Sequence, residues 1–460
     1  MATTVTNYQP IRVATIDVFR ALTMFFMIVV NDFHSIIPGV PLWLDHAARD
    51  QDFLGFSDII LPAFLFVMGM SIPHAIEKRF SNGETKMEVF GHIIMRTVAL
   101  VAMGFFAVNW GALSSEVWLS RPVFTLVALG AFFLIWNVYP SKSAKKWLPT
   151  TLFIARAAIV VAVAVVLSGN VISGFWLRLL IFSIVVACIS VIAIIYGEKL
   201  NKKWFFTAGQ VIGIGILLYL AIIYQDRTGS WMQTRWWGIL GLIGWSYVFS
   251  AIVYLFVRAK FKYLIIFWAI AVLLSMLAAN SWLGGFHGII HDNGTLQAFS
   301  MSGVLLSLLF TKWFTEKKSP TKLIQPVIAI GFVFLLAGFL ARQAWIISKL
   351  TATPTWLFFC VGITTIVYAF LYWLVEIKGK ANWFNIIAPA GTATLTCFLI
   401  PSIVYAVMQL AGFSFRAPTN PDWLLTLVTF PQGLLKTVAF SLFCIGITYL
   451  LGKIGVKLKV

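Results

Sequence analysis

Between Val13 and Ile72 four ionisable residues, Asp17, Arg20, Asp32 and Asp58, fall within or against apolar runs that would hold none if they only filled a membrane. A charge at bilayer depth costs ~2.5–3.5 kcal/mol even on insertion scales, so each needs a partner or a task. Asn31, His46 and Asp58 converge on one mouth of a helical hairpin: Asn31 closes the first run, His46 sits in the loop, and Asp58 opens the second. An imidazole with an ordinary pKa of about 6.5 is a natural general base, a neighbouring carboxylate can fix its tautomer, and a carboxamide can donate to a developing oxyanion. The plainer reading of His46 is a solvated loop histidine. Asp17 and Arg20 stand three apart and share a helix face. They make either a structural ion pair or a pair in which Arg20 faces a cavity and meets a phosphate. Arg96, inside the third apolar run, invites the same argument.

A second group lies in the loop Asn280–Gln297, which holds His287, His291, Asp292 and Asn293. His287 and His291 are four apart, a metal-ligand spacing only if the loop is helical, and glycines at 284, 285, 288 and 294 speak for a close-packed turn. Polar contacts to a sugar suit the group better, and no metal is expected. The cysteines, Cys188, Cys360, Cys397 and Cys444, all lie inside apolar runs and read as small core residues.

The elements that must carry these groups are membrane spans. With 60% hydrophobic residues, 11% charged residues and a mean hydropathy of +0.92, the chain belongs in a bilayer. Its net charge of +18 collects in short tracts between apolar runs, the footprint of loops facing anionic lipid, and nucleic acid is not an expected partner. About fourteen apolar runs follow, near 14–37, 57–76, 89–110, 122–139, 149–168, 171–196, 204–224, 237–257, 263–280, 296–314, 323–347, 355–376, 384–410 and 424–451. Every second loop is basic, from Lys78, Arg79 and Lys86 to Lys453, Lys457 and Lys459, which predicts an all-α polytopic protein with both termini cytoplasmic. The other loops carry Trp43, Trp118, Trp231 and Trp282, interfacial anchors of the outer face. The run Ala388–Pro401 has the Gly and Pro content of a kinked or interrupted helix. No inverted repeat is evident.

The segments IDVFRALTMFFMIVVN, His46-Ala47 and SDIILPAFLFVMGMSI resemble heparan-α-glucosaminide N-acetyltransferase and its bacterial relatives in the transmembrane acyltransferase superfamily. The third is similar to the family's Ala-Asp-Leu-Val-Phe-Pro segment, with Asp58 and Pro62 at the matching places. HIIMRTVALVAMG puts Arg96 at the family's arginine, and Trp237–Tyr254 and Ser348–Lys380 also look like family segments. Where the family reads His-Ala-x-Trp-Asn-Gly, this chain reads HAARDQDFLG, and Gly111–Gln233 reads as about four additional helices. The expected organisation is a membrane core over 1–110, added spans over 111–235 and a second core part over 236–460.

The resemblance implies acetyl-CoA as co-substrate and an amino sugar or amino-sugar glycan as acceptor. It places the catalytic histidine at His46 and its assisting asparagine at Asn31, with Asp58 orienting the imidazole. Arg20, paired with Asp17, and Arg96 are then candidates to hold the CoA phosphates, and Lys349, which sits where the family has a lysine, is a candidate contact to the acceptor. A bacterial inner membrane is the expected location, and a homodimer is compatible with the sequence. An O-acyltransferase of a cell-envelope glycan and a secondary transporter are the alternatives; the transporter would bind substrate without releasing thiol.

Overall fold

The computed structural model describes residues 14–36, 39–137, 202–280, 294–411 and 429–458. Their regular elements are helical, and two isolated β-bridges, Leu113 with Asp226 and Asn137 with Leu458, complete the pairing among the described residues. In chain order the helices are α1 (Ala14–Asp32), α2 (Phe56–Ser81), α3 (Lys86–Trp110), α4 (Arg121–Trp136), α5 (Lys202–Ile223), α6 (Gly238–Val257) and α7 (Phe261–Ala279). They continue with α8 (Thr295–Thr315), α9 (Ile324–Ala341), α10 (Pro354–Tyr372), α11 (Ala388–Thr392), α12 (Thr394–Leu410) and α13 (Gln432–Lys453). Among the described residues nine helices are long and apolar enough to span a membrane, and α4, α12 and the Gly209–Ile223 part of α5 are shorter apolar helices. The runs expected at 149–168 and 171–196 lie outside the described residues. The protein is thus polytopic and helical, the architecture in which each backbone group finds its partner within its own segment.

The run at 384–410 is interrupted. Helix α11 ends at Thr392, Ala393 leaves helical geometry at φ −128° and ψ 47°, and α12 restarts at Thr394.

Two compact units divide the chain: Met1–Ala102 with Ile239–Thr394 and Asn420–Leu442, and Met103–Gly238 with Leu395–Thr419 and Phe443–Val460. In the first, α2 and α8 cross backbone against backbone. A Cβ at Gly69 would lie 1.9 Å from the Ser300 carbonyl oxygen, and one at Gly303 1.9 Å from that of Phe66. Lipid gives apolar helices no drive to associate, so close approach at small residues and interhelical hydrogen bonds must hold them. The bonds are here too: Ser246 Oγ of α6 donates to the Leu296 carbonyl at 2.7 Å and lies 2.9 Å from Ser300 Oγ. At the other end of α2, buried Glu77 accepts from the Tyr254 hydroxyl and from Arg258 Nε, both at 3.1 Å. In the second unit α4 packs on α5, with Gly213 facing Ile135. Fully buried Asn109 donates to the Phe105 carbonyl at 2.7 Å and exchanges bonds of 2.9 and 3.1 Å with the Gln233 backbone.

Candidate active site

Pro62 has no N–H, so the carbonyl of Asp58, four residues earlier in α2, loses its helical partner. Trp356 Nε1 of α10 takes that carbonyl at 3.0 Å, with Cys360 Sγ at 3.9 Å. The first turn of α2 is therefore anchored to α10. The Asp58 carboxylate, 1% exposed, folds back over the same turn. Its Oδ2 accepts from Ala47 N at 3.0 Å and Gly55 N at 3.4 Å, and its Oδ1 lies 2.7 Å from His46 Nδ1. A helix N-terminus is where an acceptor of negative charge is best placed. Gly55 permits this crossing of strands of loop, because a Cβ there would fall 1.8 Å from the Asp45 carbonyl oxygen. Bonds from Phe56 N to Trp43 O at 2.8 Å and from Ser57 N to Leu44 O at 3.1 Å fix the loop to the helix entrance.

Lys349, in the loop between α9 and α10, completes the cluster. Its Nζ is 3.2 Å from His46 Nδ1 and 3.8 Å from Asp58 Oδ1. The two loops are tied together by Asp52, which accepts from Arg342 Nε at 2.9 Å and Ile347 N at 2.8 Å, and by Ser348 Oγ, which donates to the Arg49 carbonyl at 3.1 Å. Thr295 Oγ1 of α8 adds a bond of 2.7 Å to the Ala352 carbonyl. The Ile347 amide, and after it Arg342, hold the Asp52 carboxyl below the usual carboxylate range despite partial burial. Burial pushes the Lys349 ammonium down, against the pull of Asp58.

His46 Nδ1 carries one hydrogen or one lone pair and so serves one neighbour at a time. The 2.7 Å contact to a carboxylate is the stronger bond, which assigns the hydrogen to Nδ1 and leaves Nε2 as the free lone pair. The side chain is 39% exposed, so the imidazole is accessible to a proton donor from outside.

The other expected site residues lie apart from this cluster. Asn31 is exposed at the end of α1, its carbonyl 2.6 Å from His34 Nδ1, and its carboxamide makes no hydrogen bond to His46. Arg20 pairs with Asp17 at 3.3 Å and donates to Ser71 Oγ of α2 at 2.6 Å. Thirteen residues of helix separate Asp58 from Ser71, about 20 Å at 1.5 Å per residue. Arg96 lies over the Tyr247 ring at 4.6 Å, with its Nε buried and unpartnered among the described residues. Asp32 is 1% exposed, lies within the field of Lys436, and among the described residues no hydrogen-bond partner meets its carboxylate oxygens. His287, His291, Asp292 and Asn293 lie outside the described residues. Among the described residues no three of His, Cys, Asp and Glu converge on a metal-sized position.

Reading the sequence missed a ridge on α10. Trp356, Cys360, Thr364, Tyr368 and Tyr372 follow at spacings of four, each no more than 2% exposed. The ridge starts beneath Asp58 and runs toward Glu376, whose Oε1 accepts from Thr15 N at 2.9 Å and Thr15 Oγ1 at 3.0 Å. Thr364 Oγ1 and Tyr368 Oη are buried with no hydrogen-bond partner among the described residues. Each orphaned group costs about 1–3 kcal/mol, which makes the pair a marked place for a ligand with polar atoms. The signal was in the spacing, which puts polar residues on one ridge of an apolar span.

Residues 12–266, more than half of the chain, match the family model described as Domain of unknown function (DUF5009). The chain belongs to this family. Two curated relatives resemble the DUF5009 chain further. Human heparan-alpha-glucosaminide N-acetyltransferase is 30% identical over 101 residues, 22% of this chain and 14% of that enzyme. The mouse protein of the same name is 29% identical over 99 residues, 21% of this chain and 14% of its own length. The chain thus matches about a seventh of the length of these relatives. Arg20, His46, Asp58 and Arg96 fall inside the DUF5009 match, whereas Lys349 and the α10 ridge lie beyond it.

Proposed function

We propose that this protein is a membrane acetyltransferase that moves acetyl from acetyl-CoA to the amine of a glucosamine-type sugar on the opposite side of the bilayer. The observation that carries the reading is the cluster of Asp58, His46 and Lys349, in which a buried carboxylate presents an imidazole with its Nε2 lone pair free. The similarity to two N-acetyltransferases supports the reaction class.

In this reading the acceptor amine attacks the thioester carbonyl, His46 Nε2 takes the amine proton, the C–S bond breaks, and the proton passes to the departing thiolate. Asp58 stabilises the imidazolium in between. Lys349 Nζ, beside the imidazole, is the donor to the oxyanion, the role expected of Asn31. Asn31 is kept as a second donor on the family pattern alone. Arg20 and Arg96 hold the phosphates at the other end of α2, with Asp17 orienting Arg20. The separation of about 20 Å between Asp58 and Ser71 leaves only the slender arm of CoA to traverse the interior. Thr364 and Tyr368 are placed to bond the amides of that arm. His287, His291, Asp292 and Asn293 are assigned to the hydroxyls of the acceptor.

The test is thiol release from acetyl-CoA by purified protein, with and without glucosamine, for wild type and His46→Ala. Glucosamine-dependent release that is lost in the variant supports the proposal. Wild type that releases no thiol with any amine or hydroxyl acceptor overturns it in favour of transport.

A further inference from the structure

A cavity of about 250 Å³ opens among α2, α7, α8, α9 and α10, from the middle of these helices to the start of α7 at Phe261. Ile265, Leu305, Leu309 and Phe334 give it apolar walls, and its few polar side chains are already satisfied. Trp268 Nε1 donates to Ser302 Oγ at 2.9 Å, Ser302 Oγ donates to the Ala298 carbonyl at 2.8 Å, and Thr365 Oγ1 donates to the Val361 carbonyl at 2.7 Å. The cavity thus offers no free donor, and its apolar walls fit hydrocarbon. Its outer walls, α7 and the span containing α9, are 22% buried, lower than the other candidate spans, and meet through the Trp268–Phe334 edge contact at 5.8 Å.

The end of this cavity is cationic. Phe261, part of its lining, lies between exposed Lys260 and Lys262, and Lys312 stands one turn beyond Leu309 with 75% of its side chain exposed. Glu316 is the acid nearby; it pairs closely with Lys318 at 2.5 Å and only loosely with Lys312 at 4.0 Å, so the one carboxylate is shared between two lysines. Here hydrocarbon-lined space lies within a helical turn of exposed lysines on α8 and at the start of α7.

We propose that this cavity binds one anionic phospholipid, with an acyl chain between α7 and α9 and the phosphate against Lys260, Lys262 and Lys312. Charge complementarity selects this occupant over a zwitterionic lipid, because a juxtamembrane lysine attracts anionic lipid. The inference is independent of the acetyltransferase reading and needs no donor or acceptor to be tested.

The experiment is native mass spectrometry of the intact protein in mild detergent, titrated with phosphatidylglycerol or phosphatidylcholine. Wild type is expected to retain one phosphatidylglycerol in preference to phosphatidylcholine. Lys260→Gln and Lys262→Gln should each weaken phosphatidylglycerol about fivefold and leave phosphatidylcholine unchanged. Leu305→Trp should remove the tight site for both lipids. Equal retention of the two lipids, unaltered binding in the lysine variants, or a dimer that Leu305→Trp dissociates would overturn the proposal. If Leu305→Trp fails to fold, the two lysine variants, changed at exposed side chains, still decide.

Discussion

Replacing Asp58 by Asn changes one atom and should remove nearly all turnover. The carboxylate accepts from two backbone amides at Oδ2, Ala47 N at 3.0 Å and Gly55 N at 3.4 Å. Those donors cannot turn, so the amide oxygen of the variant must face them and its NH2 must face His46 Nδ1. Nδ1 then has to accept, the ring proton moves to Nε2, and the nitrogen that should take the acceptor's proton already holds one. Lys349 Nζ, 3.2 Å from Nδ1, favours the same wrong tautomer. A catalytic imidazole held in the wrong tautomer loses about 10⁴ in kcat, equivalent to ~5.4 kcal/mol of barrier. Folding should survive, because the amide keeps the capping bonds; the variant forfeits the charge–dipole part, about 0.3–1 kcal/mol, and the attraction to Lys349 at 3.8 Å. The assay is thiol release at saturating acetyl-CoA and glucosamine, beside a thermal melt of the same preparation. A variant that melts like wild type and keeps kcat within tenfold of it would refute the tautomer argument.

Other substitutions probe the supports of the site. Gly55→Ala puts a methyl 1.8 Å from the Asp45 carbonyl oxygen, so the loop must move, and a loss of about 1–3 kcal/mol in stability is expected along with most of the activity. Asp52→Asn should cost no more than about 1 kcal/mol, since the Arg342 pair is exposed to solvent. Because the Asp52 pKa is lowered in the folded state, its contribution holds above the unfolded value of 3.8 and fades only as pH falls below it. Melting curves of wild type and Asp52→Asn should therefore stay a constant distance apart from pH 8 to pH 5. Thr364→Val and Tyr368→Phe each delete a buried hydroxyl without a partner among the described residues, so stability should be unchanged or higher, while KM for acetyl-CoA rises several-fold with kcat little altered. Lys349→Met should lower kcat by about 10²–10³, the usual loss for one oxyanion donor, with Lys349→Arg recovering part of it. An effect of Lys349→Met on KM for glucosamine alone would return that lysine to acceptor binding.

Much of this was legible in the sequence because charge in an apolar run is conspicuous. Asp58 stood out for that reason, and the hairpin that brings it to His46 follows from two apolar runs and a short loop between them. The break after Thr392 was signalled by Pro389 and Gly391. The partners of Asp58 were harder to read, since Trp356 looks like an ordinary interfacial or core aromatic until Pro62 is seen to free a carbonyl for it. The clamp between Asp52 and Arg342 joins residues 290 apart, and no local pattern announces such a pair. Asn31 shows the reverse limit: adjacency in the sequence put it at the mouth of the hairpin, whereas the turn after α1 sends its side chain to solvent.

The central claim is transfer across the bilayer, and sidedness tests it most directly. In proteoliposomes of fixed orientation, radiolabelled acetyl-CoA would be supplied on the side of Arg20 and glucosamine on the side of His46. The account predicts N-acetylglucosamine when donor and acceptor are on these opposite sides, and none when both are confined to either one. Equal product with both on one side would contradict it.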